Sequence, residues 1–262
     1  MIKYVDFHCH LPFPHFDTDR AEILADMEYY GIAAVVVGVD RDSSRAAREF
    51  AESHENIWAT AGLHPADNKR ESFDPEYYKT LIASKKVRMV GECGLDYHHG
   101  KDERERARQR DEFAKQIAFA TEHDLPLMLH VRDAHRDALH MLKAASGSVR
   151  GNAHFFTGSL EEARAYWNMG FSTSFPGVIT FTNDCDEVVK EAPNDLILIE
   201  TDSPYAAPKP HRGKRNDPRS IPIIFSRMAA IRGVEEAALG PQLLENARRI
   251  LGIAEEEFPV VS

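Results

Sequence analysis

Cysteine is scarce in this sequence, and long apolar runs are missing. Only Cys9, Cys93 and Cys185 occur among 262 residues, an odd number spread widely, which excludes a disulfide framework and suits a reducing compartment. No stretch reaches the roughly 18 apolar residues that a membrane span needs. The first residues carry Lys3 and Asp6 instead of the apolar run of a signal peptide. We therefore expect a cytoplasmic protein that does not associate with membranes.

The sequence also lacks an excess of positive charge. Its 42 acidic residues outnumber its 32 Lys and Arg residues, which gives a formal net charge of −10. This argues against a protein that coats nucleic acid or an anionic membrane by bulk charge, although it does not exclude a local basic site. One candidate is the proline-rich segment 203–222, in which five basic residues stand against the single acid Asp217.

Short β-branched runs alternate with longer segments of helical period along the chain. The candidate strands are 2–8, 32–39, 57–64, 87–93, 127–131, 149–156, 171–175 and 196–201. Between them, Asp74 before a proline marks a helix start, Ser159 and Glu162 form a capping box, and Gly252 ends the last helix. This alternation predicts an α/β fold, a (β/α)8 TIM barrel that residues 1–262 form as a single domain. An open doubly wound sheet is the competing architecture, but no glycine-rich phosphate loop follows any candidate strand.

Histidine is the abundant residue, with 13 copies, and it is the commonest metal ligand in proteins. The first candidate strand ends in His8-Cys9-His10. Because side chains alternate across a strand, both imidazoles are directed into the barrel mouth and Cys9 towards the helices. Such a pair can hold one metal ion, but the motif alone is about equally compatible with two hydrogen-bonded histidines.

Histidines and acids also stand at the ends of other candidate strands. Glu92, His130, His154 and Asp202 each close a short apolar run, and the carboxyl ends of all barrel strands meet at one mouth. Either histidine alone would be explained as a hydrogen-bonded core residue, and Asp202 alone as a cap for the next segment. Five strand ends that all present such residues indicate a metal centre instead.

Four imidazoles and two carboxylates are enough for two divalent ions, because one carboxylate can bridge them. Two ions about 3.5–4 Å apart can acidify a water molecule and clamp a phosphoryl oxygen and its leaving group. A histidine-rich donor set favours Zn²⁺, Mn²⁺, Co²⁺ or Ni²⁺ over Mg²⁺, which prefers an oxygen shell. The residues leave the identity open among these five metals.

Taken together, the motifs resemble the TatD family of metal-dependent hydrolases, within the amidohydrolase superfamily. The matching stretches cover nearly the whole chain and are DFHCHL (6–11), GLHP (62–65), GECGLDYH (91–98), LPLMLHVRDA (125–134), HFFTGS (154–159), IETDSPYAAP (199–208), GKRNDP (213–218) and ENARRILG (245–252). No single stretch is specific, but their combination is.

The resemblance implies a ligand set and a reaction. The ligands implied for one ion are His8, His10, Glu92 and Asp202, and those for the other are Glu92, His130 and His154. Asp202 resembles the acid that assists proton transfer from the attacking water, and Glu92 and His64 complete the implied catalytic set. The implied reaction is phosphodiester hydrolysis by a deoxyribonuclease of the 3′–5′ exonuclease type, acting on DNA ends or short oligonucleotides.

Residues beside the implied metal ligands also have candidate roles. The resemblance favours a substrate-binding or acid role for His64, which ends the third candidate strand, over a purely structural role or a place among the ligands. Arg132 shares the face of His130 and pairs either with a substrate phosphate or with Asp133 or Asp96. We expect Asp96 to orient a ligand histidine.

The segment 203–222 directly follows the ligand Asp202. Its position favours a phosphate-gathering role for Lys209, Lys214 and Arg215 over that of a solvated loop paired with neighbouring acids.

Phe155 departs from the family pattern, since many relatives have cysteine there. Strand parity predicts that its side chain faces away from the mouth, so that metal ligation is unaffected. The sequence shows no evident aromatic stacking platform, which fits short or end-on substrates better than long duplexes.

Two other functions are compatible with these residues. The same site polarises carbonyl groups, so hydrolysis of a small amide, ester or lactone is the first alternative. Glu92 stands where several relatives in the superfamily use a modified lysine, which argues against cyclic-amide chemistry. A metal-stabilised scaffold without turnover is the second alternative, and the complete ligand set argues against it. We expect no obligate protein partner and a monomer or weak oligomer.

Overall fold

Eight parallel strands form one sheet in the computed structural model, which describes residues 1–67, 69–145 and 149–258. Each strand pairs with the next one in chain order. The strands are β1 (Tyr4–Cys9), β2 (Ile32–Val37), β3 (Ile57–Ala61), β4 (Val87–Asp96), β5 (Leu127–Arg132), β6 (Gly151–Ala153), β7 (Phe171–Phe175) and β8 (Ile197–Ile199). With helices between the strands, this arrangement confirms the predicted (β/α)8 barrel.

The first strand and the residues after the last strand are joined at the mouth. Asp202 donates its backbone N–H to the carbonyl oxygen of His8 at 2.9 Å. The buried carboxylate of Asp6 accepts hydrogen bonds from the backbone N–H and the hydroxyl of Thr201, at 2.8 and 2.5 Å. These bonds bring the two ends of the barrel sequence together and hold Asp202 against β1.

Helices follow the strands and cover the outside of the barrel. In the described residues they are α1 (Arg20–Tyr30), α2 (Arg41–Glu52), α3 (Pro75–Ile82), α4 (Glu103–Glu122), α5 (His135–Ala144), α6 (Leu160–Trp167), α7 (Asp186–Glu191), α8 (Ile221–Arg232) and α9 (Glu236–Leu251). The three predicted helix ends are confirmed: Asp74 caps α3, Ser159 forms its capping box with Glu162, and Gly252 follows α9 at a φ of 60°. Within the described part of the chain, no helix combines the length and apolar character needed to cross a bilayer.

The strands are buried on both faces, as expected for a parallel sheet covered by helices. In β2, Val36 belongs to the outer cluster of apolar side chains and Val35 to the inner one. Helix α9 contributes Leu244 and Ala247 to the inner cluster. The interior therefore holds a cluster of apolar side chains, beside which the buried polar side chains of Asn152, Ser172 and Ser174 in β6 and β7 bond one another.

Several strand ends differ from the prediction. β3, β6 and β8 stop earlier than expected, so His64, His154 and Asp202 lie in the loops that directly follow these strands. Beyond two of these ends the chain leaves the extended conformation, since Phe155 and Asp202 have φ values of 45° and 53°. β4 instead runs on to Asp96, because its last residues continue to pair with β5.

Candidate metal centre and active site

The imidazoles of His8 and His10 meet at the end of β1, and Cys9 packs in the outer cluster as predicted. The two Nε2 atoms lie 3.2 Å apart. Oε2 of Glu92 is 3.3 Å from Nε2 of His8 and 3.9 Å from that of His10, and Oδ1 of Asp202 is 3.7 Å from both nitrogens. A tetrahedral site with bonds of about 2.0–2.1 Å has ligand atoms about 3.4 Å apart. The donors of His8, His10 and Glu92 are therefore close enough to share one divalent ion, and Asp202 forms a similar group with His8 and His154.

A second group of donors surrounds the other oxygen of Glu92. Oε1 lies 2.7 Å from Nδ1 of His130 and 2.8 Å from Nε2 of His154, and these two nitrogens are 3.4 Å apart. The two carboxylate oxygens of Glu92 thus face different sets of donors, which is the geometry of a bridging ligand.

Glycines on either side of Glu92 allow β4 to approach β5 closely. A Cβ atom on Gly91 would lie 2.4 Å from the carbonyl oxygen of Met128, and one on Gly94 would lie 2.1 Å from that of His130. Both residues also have positive φ, 145° and 141°. Only glycine tolerates this approach, and the approach brings Glu92 beside His130.

Burial and neighbouring charges prepare these side chains for metal binding. Desolvation lowers the pKa of His8, and it lowers the pKa of His10 to about 3, so both imidazoles are neutral at pH 7. Burial acts to raise the pKa of Glu92, but the imidazoles of His154, His64 and His8 outweigh it and hold that pKa well below its usual value. Neutral imidazole and ionised carboxylate are the forms that bind metal.

The pKa values of Asp202 and His154 are shifted towards the protonated forms. Desolvation raises the pKa of Asp202 well above its usual value, and the carboxylates of Glu92 and Glu200 raise it further. Burial acts to lower the pKa of His154, but the same two carboxylates raise it well above its usual value. A site that favours protonation in this way also favours a divalent cation.

Two contacts orient the candidate ligand histidines from outside the donor groups. Oδ2 of Asp96 lies 3.2 Å from Nε2 of His130, which agrees with the orienting role predicted for Asp96. Nδ1 of His10 lies 3.1 Å from the carbonyl oxygen of Val37, so Nδ1 carries the proton and Nε2 presents its lone pair to the site. Contacts of this kind fix the tautomer and the ring plane of a metal ligand.

Glu200 is a site residue that the sequence analysis missed. It is fully buried, and its Oε1 accepts the backbone N–H of Phe155 at 2.7 Å and lies 3.4 Å from Nδ1 of His154. Its Oε2 accepts the hydroxyl of Ser174 at 2.5 Å. The available signal was its place at the end of an apolar strand, two residues before Asp202.

His64 lies closer to the metal donors than the sequence analysis expected. Its Nε2 is 3.5 Å from Oε1 of Glu92, and with Glu92 and His130 it forms a group close enough to share an ion. Its Nδ1, however, accepts the backbone N–H groups of Ala66 and Asp67, each at 3.2 Å. The same Nδ1 lies 3.3 Å from Oδ1 of Asp67, so each ring nitrogen of His64 has a carboxylate neighbour at the cavity.

The donor groups border a cavity of about 610 Å³ at the barrel mouth. The predicted site residues that line it are His10, His64, Glu92, His130, Arg132, His154 and Asp202. His8 is fully buried beside them. Arg132 is exposed and lines the same cavity as His130, as strand alternation predicts.

Phe155 also lines the cavity, and the prediction that it faces away from the mouth was wrong. The alternation of side chains along a strand does not extend to Phe155, because β6 ends at Ala153 and Phe155 has a left-handed backbone with a φ of 45°. The next residue, Phe156, packs instead in the outer cluster and is 1% exposed. Phe13 and Tyr205 line the same cavity, so the mouth carries aromatic side chains that the sequence analysis did not identify as a group.

The basic side chains of the segment 203–222 do not belong to the described lining of this cavity. Nη1 of Arg215 donates to Oδ1 of Asp19 at 2.9 Å. Lys209 and Lys214 are exposed. The structure therefore does not bring these three residues together with the metal donors, and their contact with substrate phosphates stays a prediction.

Comparisons with known proteins identify the family of this chain. The family model described as TatD related DNase matches residues 5–252. The chain belongs to the TatD family. The TatD-family protein is 39% identical to an uncharacterized metal-dependent hydrolase, YabD of Bacillus subtilis, over 95% of this chain and 98% of that protein. It is 31% identical to the 3′–5′ ssDNA/RNA exonuclease TatD of Pantoea ananatis, over 95% of this chain and 99% of the other.

A solved structure shows the same architecture. The TatD homologue YjjV of Escherichia coli K12 is 26% identical to the TatD-family protein and superposes with a TM-score of 0.89, over 96% of this chain and 99% of that one. The family resemblance is thereby confirmed, and the TatD-family protein is a metal-dependent hydrolase.

Proposed function

We propose that the TatD-family protein is a binuclear metal-dependent hydrolase that cleaves phosphodiester bonds at the 3′ ends of single-stranded DNA or short oligonucleotides. The observation that carries this proposal is the position of Glu92, whose Oε2 faces His8 at 3.3 Å while its Oε1 faces His130 at 2.7 Å. A carboxylate shared by two donor groups is the arrangement that places two ions side by side. Similarity to a named 3′–5′ ssDNA/RNA exonuclease supports the choice of substrate.

Two ions would share Glu92. The ligands proposed for one ion are His8, His10, Glu92 and Asp202, and those for the other are Glu92, His130 and His154. Divalent ions held by these residues supply Lewis acidity and lower the pKa of coordinated water. The donor set suits Zn²⁺, Mn²⁺, Co²⁺ or Ni²⁺, with Mg²⁺ the least favoured of the five.

The protein's own side chains would bind and orient the phosphodiester and move its protons. Asp202 lines the cavity, and its carboxylate accepts the proton that the attacking water loses. His64 lines the cavity, and its Nε2 would donate a hydrogen bond to a phosphate oxygen. Arg132, on the same side as His130, pairs its planar guanidinium with the phosphate.

The basic residues of the segment 203–222 would act at longer range. Lys209 and Lys214 are exposed, and we assign them to phosphates further along the strand, which they attract by charge without reading sequence. Arg215 contributes to the same field while its guanidinium remains paired with Asp19.

The decisive experiment combines metal analysis with digestion of an end-labelled oligonucleotide. Protein reconstituted with each metal in turn is expected to hold two ions per chain. A 3′-labelled strand then releases its label as a mononucleotide at once, while a 5′-labelled strand shortens step by step. Loss of the 5′ label first would overturn the proposed direction of cleavage.

Two controls exclude other sources of the measured activity and other reactions. Nuclease activity that persists in the His130→Ala/Asp202→Asn double variant, purified in parallel, would come from a contaminating nuclease. Hydrolysis of an amide or lactone panel without any phosphodiesterase activity would overturn the proposal in favour of carbonyl chemistry.

A further inference from the structure

Three aromatic side chains line the cavity around the metal donors. Phe13 and Phe155 are partly buried, and Tyr205 is 53% exposed. They come from the loops that follow β1, β6 and β8, so they are far apart in the sequence. The rings of Phe13 and Phe155 carry no atom that binds a metal. We therefore attribute the position of the three rings to contact with a bound molecule.

The rings flank both groups of metal donors. The ring of Phe13 stacks on His10, with centroids 4.6 Å apart and planes at 20°, and Tyr205 meets the same imidazole edge-on at 6.3 Å. Phe155 meets His154 at 6.2 Å with its plane at 89°. A substrate whose phosphate lies over the donors therefore has aromatic surface next to it on the β1–β8 side and on the β6 side.

The position of Phe155 is held by the structure. A positive φ is unfavourable for a bulky residue and persists only where its surroundings enforce it. Here the backbone N–H of Phe155 donates to the buried Oε1 of Glu200 at 2.7 Å. The same carboxylate that contacts His154 thus also holds the Phe155 backbone, which links the aromatic ring to the metal centre.

We propose that Phe155 and Tyr205, with Phe13, form a stacking site for the unpaired base at the reacting end of the strand. This inference rests on the proposed function. Aromatic side chains bind any base through its flat face, so such a site holds a strand end without reading its sequence. Bases within a duplex have both faces covered by their neighbours, and the site would therefore select single-stranded ends.

The test pairs side-chain variants with substrates that lack the base. One oligonucleotide ends in natural nucleotides and the other carries abasic residues at its 3′ end. Tyr205→Ala and Phe155→Ala are each expected to lower kcat/KM for the natural end by about 5- to 100-fold, the range of base–aromatic stacking measured by alanine substitution. For the abasic end, both changes are expected to alter kcat/KM less than twofold, and Tyr205→Phe should retain parental behaviour with both substrates.

The matched control is Tyr29→Ala, which removes another tyrosine, one that is 80% exposed on α1 and outside the cavity lining. It should leave the ratio between the two substrates unchanged. Equal losses for the natural and the abasic end in Tyr205→Ala and Phe155→Ala would overturn the inference, because the rings would then act on the metal site and not on a base.

A binding measurement separates this inference from the proposed function. A cleavage-resistant phosphorothioate oligonucleotide with 2-aminopurine at its 3′ end should lose fluorescence on binding, and the quenching should fall in Phe155→Ala and Tyr205→Ala. Quenching without cleavage of any oligonucleotide would support the stacking site and overturn the proposed reaction. Cleavage without quenching would support the reaction and overturn the stacking site.

Discussion

The floor and the rim of the barrel mouth are built in different ways. We define the floor as His8, His10, Glu92, His130, His154 and Asp202, and the rim as Phe13, Arg132, Phe155 and Tyr205. Most floor residues are buried, and each has a polar atom 2.7–3.9 Å from a polar atom of another floor residue. The rim residues are partly or largely exposed, and they meet the floor through ring contacts or only border the cavity.

This difference follows from the cost of burying charge. A buried carboxylate or imidazole must be paired, so every floor residue depends on its neighbours and tolerates little change. A rim residue keeps contact with water, so its substitution leaves no buried charge unpaired. We therefore expect substitutions in the floor to abolish activity and substitutions in the rim to alter substrate binding.

The largest effect is expected for Glu92→Gln. The amide keeps the shape of the side chain but removes the charge that faces both donor groups, so kcat should fall about 1,000-fold or more, as several kcal/mol of charge stabilisation are lost. Steady-state kinetics and metal analysis of the purified variant measure the loss. Glu112→Gln is the matched control, since Glu112 is also buried but binds Ser72 and the backbone of Phe73. A Glu92→Gln enzyme within tenfold of the parent would contradict the bridging role.

The next largest effect is expected for Glu200→Gln, which tests whether a residue in contact with His154 contributes to metal binding. Loss of this charge beside His154 should weaken metal binding about 10- to 100-fold, the usual effect of removing a residue that orients a ligand. Metal titration with a chelator as competitor measures the change. Ser174→Ala, which removes only the hydroxyl that donates to the other oxygen, should have a smaller effect. Unchanged metal affinity in Glu200→Gln would show that Glu200 does not support metal binding.

A smaller effect is expected at the rim for Arg132→Ala. Loss of the planar guanidinium should raise KM for oligonucleotides about tenfold with little change in kcat, and Arg132→Lys should recover only part of the loss because lysine lacks the paired donors. Lys214→Ala provides the comparison outside the cavity. It is expected to raise KM less than threefold and to reduce the dependence of log KM on log salt, as one phosphate contact does. Equal effects of Arg132→Ala and Lys214→Ala would show that the rim includes the basic segment.

The smallest effect is expected for Arg215→Ala. The Arg215 guanidinium lowers the pKa of Asp19 below its ordinary value of 3.8 through a hydrogen bond. The pair therefore stabilises the fold above that ordinary pKa, and its contribution disappears as the pH falls through the lowered pKa. At neutral pH the substitution should reduce the free energy of unfolding by about 0.2–1 kcal/mol, as for other exposed pairs. Denaturation at pH 7 and at about pH 2 should show this difference shrinking, and an equal difference at both pH values would exclude the Asp19 pair as its source.

The sequence by itself determined the barrel and the nature of the floor. Eight short apolar runs separated by helical segments predict parallel strands buried on both faces, and the register of such strands places their last residues at one mouth. The meeting of His8, His10, Glu92 and His130 at the mouth could be predicted because it depends on a local property, the place of each residue at or near the end of its own strand.

The tertiary structure alone decided which distant side chains meet. Glu200 reaches the backbone of Phe155 across 45 residues, and Arg215 pairs with Asp19 across 196. The first contact helps to hold Phe155 in the left-handed backbone conformation that places its ring at the cavity. The second pairs the Arg215 guanidinium with a carboxylate, whereas the charge pattern of the segment 203–222 predicts a contact with phosphates. Periodicity within one segment cannot predict these contacts. Their partners come from distant segments, which reach hydrogen-bond distance only when the barrel folds.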